Sequence, residues 1–301
     1  MSGAAIGVFD SGVGGLSILR EIHNQLPNEP LLYFADQANV PYGPRSLSEV
    51  RQFSHAITRF LLEGQCKLIV VACNTASAAA LHQLRESFPN TPFVGMEPAV
   101  KPAAEITQSK RVAVLATPAT FQGELFASVV ERFAQGVEVI QIVLPGLVER
   151  IEAGDIASEE TREFLHKPLA GLLGRQVDTL VLACTHYAFV IPLLEQILGP
   201  GVRVIDPAPA IARQTGRLLE VHGVAATSVG RAPSASTATE GAARGSAEAP
   251  PPVSPPSASP APVRYLTSGE PDPFRAAIRR LVGVDALAEP ARWNRGTLEL
   301  A

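Results

Sequence analysis

Cys73 and Cys184 each follow a short apolar run and precede small polar residues. Each run has the length of one buried parallel strand, and helical patterns follow over residues 76–88 and 188–198. We therefore expect each thiol at the carboxyl end of a strand and beside a helix amino terminus, where open α/β sheets bind ligands. Unpaired backbone N–H groups there favour an anion, and the same environment lowers the pKa of a thiol.

The alternative for each cysteine is a structural role, because cysteine is often a small buried hydrophobe. Cys66, at the start of a predicted strand, fits that role. A metal site would need more ligands. Asp10 and His186 are available, but the sequence contains no paired C-x-x-C and no spaced histidine set. We predict no metal.

A glycine-rich loop, residues 12–17, follows the first predicted strand and nearly fits a dinucleotide fingerprint. Asp36 ends the next strand at about the right distance for a ribose contact. Two features oppose nicotinamide binding: the Asp10 carboxylate would repel a pyrophosphate, and Ser17 stands where the fingerprint has Gly or Ala. We interpret the loop as a site for a smaller anion, with Asp10 as a charged partner.

The position of His186, two residues after Cys184, favours an acid, base or orienting role over that of a satisfied core or surface histidine. Glu152 lies near the end of a helix predicted over 146–152, where spacing alone indicates a solvated residue. A pyridoxal enzyme needs a lysine for its Schiff base. The four lysines lie at strand starts or near helix ends, away from the predicted site, so amino-acid chemistry here would have to run without pyridoxal phosphate. These lysines are Lys67, Lys101, Lys110 and Lys167.

Strands alternate with helices in two series, and the second series begins near Arg111. This order predicts an α/β fold with two similar doubly wound lobes, mainly parallel sheets and an active site in the cleft between them. Residues 1–98, 207–224 and 263–301 would form the first lobe, and residues 99–206 the second. Residues 225–262 are rich in Ala, Pro and Ser and are predicted to be a disordered insertion, whereas the chain after Gly283 carries little signal.

The composition limits the function classes. The 301 residues are 46% hydrophobic and 18% charged, with a net charge of −4 and no run of Lys or Arg. Neither nucleic acid nor a membrane surface is indicated as a partner, and no apolar stretch reaches transmembrane length. The amino terminus lacks the pattern of a signal peptide, so we expect a cytoplasmic protein with free thiols.

Several separate stretches together carry a family resemblance. The chain resembles the glutamate racemases of the cofactor-independent aspartate/glutamate racemase superfamily from residue 6 to about 219 and again from 265 to about 281. The stretches that carry it are residues 7–16, 33–36 with 41–43, 72–76, 184–187 and 268–272. Two departures are the looser form of residues 142–152, which contain Glu152, and the Ala/Pro-rich insertion.

The resemblance implies that Cys73 and Cys184 are the two catalytic bases, one for each face of the substrate α-carbon. It implies that three further residues assist proton traffic to the thiols: Asp10, His186 and Glu152. The implied substrate contacts come from Asp10, Ser11, Tyr42, Gly43, Asn74, Thr75, Thr185 and His186. The reaction would be racemisation of glutamate without a cofactor, supplying D-glutamate for peptidoglycan. A homodimer is the assembly we consider, although no residue decides the oligomeric state.

Two thiols on facing lobes suit this reaction, because racemisation needs a base on one side of the α-carbon and an acid on the other. Asp10 would bind the substrate ammonium group or relay protons to Cys73, and the sequence does not separate these roles. Three rivals remain. They are a racemase of aspartate or another small amino acid, a two-lobed amino-acid-binding protein without activity, and a single-thiol lyase or decarboxylase. The presence of both cysteines counts against the last.

Overall fold

The computed structural model describes residues 4–226 and 260–301. Its strands are β1 Ile6–Asp10, β2 Leu31–Ala35, β3 Leu68–Val71, β4 Phe93–Gly95, β5 Arg111–Ala116, β6 Glu138–Ile142, β7 Thr179–Ala183, β8 Arg203–Ile205, β9 Val263–Thr267, β10 Ala288–Asn294 and β11 Thr297–Leu300. Its α-helices are α1 Leu16–Gln25, α2 Leu47–Glu63, α3 Asn74–Ser87, α4 Val100–Ile106, α5 Pro118–Gln122, α6 Glu124–Phe133, α7 Leu147–Glu152, α8 Glu159–Gly174, α9 Ile191–Leu198, α10 Ala208–Val221 and α11 Pro271–Val282.

The strands of the described residues form two sheets. The first has the order β11-β10-β9-β2-β1-β3-β4 and the second has the order β6-β5-β7-β8. Neighbouring strands are parallel throughout, except that β10 and β11 pair antiparallel. The predicted α/β fold of two lobes with mainly parallel sheets is confirmed.

The two sheets share a common strand order. The run β2-β1-β3-β4 of the first sheet corresponds to β6-β5-β7-β8 of the second, so β3 and β7 occupy equivalent positions. Successive strands are added on opposite sides of β1 and of β5, so the strand order reverses beside them, and a crevice opens at the carboxyl ends of the strands at such a point. Cys73 follows β3 and Cys184 follows β7, so the fold places the two thiols at equivalent crevices.

The strands that lead to these crevices are fully buried. Every residue of β1, β3 and β7 is buried, which is typical of parallel strands covered by helices on both faces. One continuous core extends from the α1 face of the first sheet to the α8 and α9 face of the second. Each buried aliphatic side chain contributes about 1.5–3 kcal/mol relative to an exposed one. The strand ends are therefore rigid supports for the residues that follow them.

The carboxyl-terminal segment differs from expectation. After Gly283, where the sequence carries little signal, the chain forms β10 and β11 at the edge of the first sheet. β10 pairs with β9 over only three residues and contains Pro290, so its strand pattern is weak in the sequence.

The predicted insertion, residues 225–262, lies mostly outside the described residues, and the division into lobes by residue number stays a prediction. The two described ends of the predicted insertion contact the same loop. The backbone N–H of Ala226 donates to Glu29 Oε1 at 2.6 Å, and that of Ala261 donates to the Pro27 carbonyl at 2.8 Å. Within residues 4–226 and 260–301, no helix is long and apolar enough to cross a membrane.

Candidate active site

The two crevices open onto one cavity of about 140 Å³, and Cys73 and Cys184 both line it. Its wall also includes seven other residues expected to bind substrate or assist catalysis: Ser11, Tyr42, Gly43, Asn74, Thr75, Thr185 and His186. Asp10 and Glu152 lie behind this wall, where they contact residues that form it. The structure thus brings all eleven of the predicted site residues together, nine at the surface of the cavity and two behind it.

Cys73 lies at the amino terminus of α3, where its Sγ accepts a hydrogen bond from the backbone N–H of Ala76 at 3.5 Å. The expected lowering of its pKa is wrong. Burial raises the pKa of Cys73, and the charge of Asp10 raises it further, whereas the N–H of Ala76 opposes the shift. Desolvation of a thiolate outweighs the helix terminus here. Cys73 is therefore protonated at neutral pH.

Cys184 has different surroundings. The residues after it, Thr185–Val190, form a short 3₁₀ helix, and α9 begins only at Ile191. Cys184 caps this 3₁₀ helix and so lies beside a helix amino terminus, as expected, whereas the α-helix predicted over 188–198 begins at Ile191. A 3₁₀ helix has i→i+3 geometry, and this one lacks a long stack of aligned peptide dipoles. The polar partner of the thiol is an imidazole: Cys184 Sγ lies 3.8 Å from His186 Nδ1.

His186 and Glu152 form a buried pair, with 2.6 Å between His186 Nε2 and Glu152 Oε1. Burial disfavours the imidazolium, but Cys184 and Glu152 outweigh it and hold the pKa of His186 well above its ordinary value. Burial also opposes ionisation of Glu152, yet the hydrogen bond from His186 and its charge lower the pKa of Glu152. The alternative of a solvated Glu152 is wrong, because only 14% of its side chain is exposed.

The glycine-rich loop packs against the pair of His186 and Glu152. The backbone N–H of Val13 donates to Glu152 Oε1 at 2.8 Å. A Cβ added at Gly12 would overlap the Glu152 carboxylate, and one added at Gly14 would lie 2.5 Å from His186 Nδ1. The missing side chains therefore allow the close approach of two second-sheet residues, and the anion held by the loop is the carboxylate of Glu152.

Asp10 connects the first sheet to the residue after Cys184. It is fully buried, and its two oxygens accept from the backbone N–H of Gly12 at 2.8 Å and from Thr185 Oγ1 at 2.9 Å. Burial raises the pKa of Asp10, while the charge of His186 opposes the shift. Its carboxylate acts on the cavity through Thr185 and through its charge near Cys73.

The start of α3 supplies polar groups for a ligand. Asn74 and Thr75 are buried in its first turn. Neither side-chain polar atom of Asn74 has a hydrogen-bond partner in the described part of the chain. Thr75 Oγ1 lies 2.9 Å from Thr117 Oγ1, which reaches across from the end of β5. Unpaired buried amides are costly, so this end of the cavity is built to hydrogen-bond a ligand.

Sequence reasoning missed several residues of the cavity wall. Thr117 follows β5, the strand equivalent to β1, which ends at Asp10. A polar side chain at an equivalent strand end is the signal in the sequence that could have identified Thr117. Leu144, Val148 and Glu149 line the cavity from α7 and the loop before it. They belong to the stretch that departs from the family pattern, and their spacing carries no chemical signal.

The site offers no conspicuous place for a metal or a Schiff base. Residues 4–226 and 260–301 contain no group of three or more His, Cys, Asp or Glu side chains arranged to hold a metal ion. None of the four lysines, all within the described ranges, lines the cavity.

A family model for Asp/Glu/hydantoin racemases matches residues 6–215. The chain belongs to this racemase family. The family predicted from the motifs is thereby confirmed, and so is the predicted enzyme class of amino-acid racemase, an isomerase. The matched range contains both cysteines, both residues behind the cavity wall and every element that carries them.

Relatives within the racemase family are similar over most of their length. The glutamate racemase of Pseudomonas aeruginosa strain PAO1 is 52% identical over 224 residues, which are 74% of this chain and 84% of that protein. That of Roseiflexus sp. strain RS-1 is 50% identical over 223 residues, 74% of this chain and 82% of that protein.

Solved structures show the same fold. Glutamate racemase RacE1 of Bacillus anthracis has a TM-score of 0.80 at 27% identity, covering 99% of this chain and 100% of that one. The Escherichia coli enzyme, solved with L-glutamate and the activator UDP-MurNAc-Ala, has a TM-score of 0.73 at 30% identity, covering 96% of this chain and 98% of that one.

Proposed function

We propose that this protein interconverts L- and D-glutamate without a cofactor, using Cys73 and Cys184 as the two acid–base groups. The observation that carries the proposal is the placement of these thiols after equivalent strands, β3 and β7, on one cavity. A base and an acid on opposite faces of an α-carbon are what inversion of that carbon requires. The names of the relatives at about 50% identity support glutamate as the substrate.

The first turn of α3 anchors the substrate. Asn74, with its unpartnered amide, and Thr75 face the cavity beside backbone N–H groups at a 14-residue helix amino terminus. Such a site binds an anionic carboxylate and stabilises the negative charge that develops beside it during removal of the α-proton. The loop of Tyr42 and Gly43, together with Ser11 and Thr185, forms the remaining polar wall.

One thiolate removes the α-proton, and the opposite thiol donates its proton to the other face. After inversion the two cysteines have exchanged protonation states. Before the next molecule of the same enantiomer reacts, the first thiol releases its proton to solvent and the opposite thiolate takes one up, so atoms and charge balance. Cys73 is the protonated partner at rest, as its raised pKa requires. The imidazolium of His186, 3.8 Å from Cys184, stabilises a thiolate at that position.

Three residues support this proton traffic. His186 exchanges protons with Cys184, and Glu152 holds the imidazole in place from behind. Asp10 acts from behind the wall, on Cys73 by its charge and on Thr185 by a hydrogen bond. This placement favours a relay or electrostatic role for Asp10 over direct contact with the substrate ammonium group.

The decisive experiment is incubation of the purified protein with L-glutamate in heavy water without pyridoxal phosphate, following chirality and α-deuteration together. Both should change in the wild type and in Cys66→Ala, a control for a buried thiol away from the cavity. The rates of inversion and of α-deuteration should each fall by about 10³-fold or more in Cys73→Ala and in Cys184→Ala, within the range for loss of a general acid or base.

Other outcomes discriminate between the rivals. Turnover of aspartate but not glutamate would keep the mechanism and change the substrate. Full activity after loss of either thiol would refute the two-base mechanism. Binding of glutamate by a folded protein that neither inverts nor deuterates it would make the chain an amino-acid-binding protein.

We further propose that the D-glutamate enters peptidoglycan synthesis in the cytoplasm of a bacterium, and that the protein is a homodimer. The gene should restore growth without added D-glutamate to a bacterial strain that lacks its glutamate racemase, and the Cys184→Ala gene should not. Sedimentation analysis of the purified chain tests the dimer.

A further inference from the structure

Asp36 has a place in the structure that the proposed reaction does not explain. It follows β2 and is fully buried, and its backbone N–H donates to the Asp10 carbonyl at 3.0 Å. The sequence suggested a ribose contact for this residue. In the structure, side chains of the protein itself surround the carboxylate.

Four neutral side chains from three segments donate hydrogen bonds to Asp36. Tyr42 Oη donates to Oδ2 at 2.6 Å, and Asn39 Nδ2 lies 3.1 Å from the same oxygen. Ser268 Oγ and Trp293 Nε1 each donate to Oδ1 at 2.7 Å. The side chain of Asp36 therefore joins the loop after β2 to the segments around β9 and β10.

Tyr42 is the donor among these four that lines the catalytic cavity. Its ring also packs on Phe53, with centroids 5.7 Å apart, and Phe53 packs on Trp293 at 5.6 Å. Two connections therefore run from Trp293, on the edge strand β10, to the cavity wall. One is polar and passes through Asp36, and the other is aromatic and passes through Phe53.

We propose that Asp36 is a positioning residue that fixes the loop of Tyr42 and Gly43 against the substrate and makes the carboxyl-terminal strands part of the support of the active site. This inference rests on the proposed glutamate racemisation. No side chain of this network hydrogen-bonds to either thiol within the described residues, so its loss misplaces the cavity wall without removing an acid or a base. It acts mainly on KM.

Asp36→Asn keeps the shape of the side chain but turns one acceptor oxygen into an NH₂ group that faces donors. We expect KM for glutamate to rise about tenfold while kcat stays within about threefold, the pattern of lost uniform binding. The matched control is Asp178→Asn. Asp178 accepts from Thr107 Oγ1, Gln108 N and Ser109 N at 2.6–2.8 Å at the amino end of β7, away from the cavity. It should lower Tm and leave KM unchanged.

Two milder variants keep the test decisive if Asp36→Asn does not fold. Trp293→Phe and Tyr42→Phe each remove one donor and keep a ring. Each should raise KM about threefold, and the double variant should show less than the product, because both act through one carboxylate.

If the wild type racemises glutamate, two results would overturn the proposal for Asp36 alone. One is an unchanged KM in these variants, and the other is a rise in KM equal to that of Asp178→Asn. A drop in kcat without a change in KM would instead place Asp36 in the proton transfers. A wild type that does not racemise glutamate would overturn the proposed function and this inference with it.

Discussion

Cys73 and Cys184 occupy equivalent positions in two sheets of the same strand order, yet their surroundings differ. Cys73 immediately precedes an α-helix of 14 residues, and burial together with the charge of Asp10 raises its pKa. Cys184 precedes a 3₁₀ turn and contacts an imidazole whose pKa is raised. The repeated fold sets where the thiols lie, and the neighbouring side chains give each thiol a different electrostatic environment. Substitutions that act on one side alone measure this difference.

Among substitutions that keep both thiols, the largest effect should come from His186→Asn, which removes the imidazole from Cys184 and has no counterpart at Cys73. We expect kcat to fall by about 10³-fold, within the range for loss of an acid–base group. The two enantiomers have equal free energy, so kcat/KM must stay equal in the two directions. The asymmetry should appear as a larger α-deuterium isotope effect with one enantiomer than with the other.

The exposed His82 provides the control for this substitution, since His82→Asn on the surface of α3 should leave turnover unchanged. Equal isotope effects for both enantiomers in His186→Asn would show that the histidine serves both thiols alike.

A smaller effect is expected from Gly14→Ala. The added methyl group would lie 2.5 Å from His186 Nδ1 and 2.6 Å from Thr185 Oγ1, so the residues after Cys184 must shift. A displacement of about 1 Å at a reacting group lowers kcat by about 10²-fold. Gly171→Ala is the matched control, because a Cβ there meets no atom within 4 Å and the residue lies inside α8. It should keep full activity and raise Tm slightly. Full activity of Gly14→Ala would show that the Cys184 side tolerates movement.

The smallest effect is the pH dependence of stability in Glu152→Gln. The pKa of His186 is raised, so its contribution to stability is complete below its ordinary value of 6.5 and is lost as pH rises through the raised value. The pKa of Glu152 is lowered, so its contribution is present above 4.5 and is lost as pH falls through the lowered value.

Between the lowered pKa of Glu152 and the raised pKa of His186, the free energy of unfolding of the wild type should therefore exceed that of Glu152→Gln by about 1 kcal/mol or more. Outside this pH range the difference should be smaller. Urea unfolding across the pH range measures the difference. Glu86→Gln, which removes the exposed partner of His82, should show no such window. A difference independent of pH would mean that the buried pair contributes by packing alone.

Much of this arrangement was predictable because buried parallel strands leave continuous apolar runs in a sequence. The runs before Cys73 and Cys184 predicted both strands, and the polar residues after them predicted the part of the cavity wall that follows β3 and β7. The part formed by Tyr42 and Gly43 was implied by the family resemblance alone. The prediction for the pKa of Cys73 was wrong because a strand–helix junction in a sequence shows where the peptide dipoles lie. It does not show how far water is excluded from the thiol, and burial is what raises this pKa. The environment of Glu152 was missed because its two partners, Val13 and His186, are distant in the chain.

The carboxyl-terminal strands show the same limit. β10 and β11 pair through the edge of an existing sheet, so their stability depends on β9 and on contacts such as that of Trp293 with Asp36. A short segment with a proline carries little strand signal of its own. Long-range hydrogen bonds decide such elements, and no local pattern records them.

Ala226 and Ala261 are both held by the loop that carries Pro27 and Glu29. Two anchors at one place make this point a natural acceptor for a foreign domain, because each doubling of the length of a flexible connection between two fixed ends costs only about 0.6 kcal/mol. A fluorescent protein or an affinity handle spliced between these residues would leave both chain termini free and the catalytic cleft on its own rigid strands.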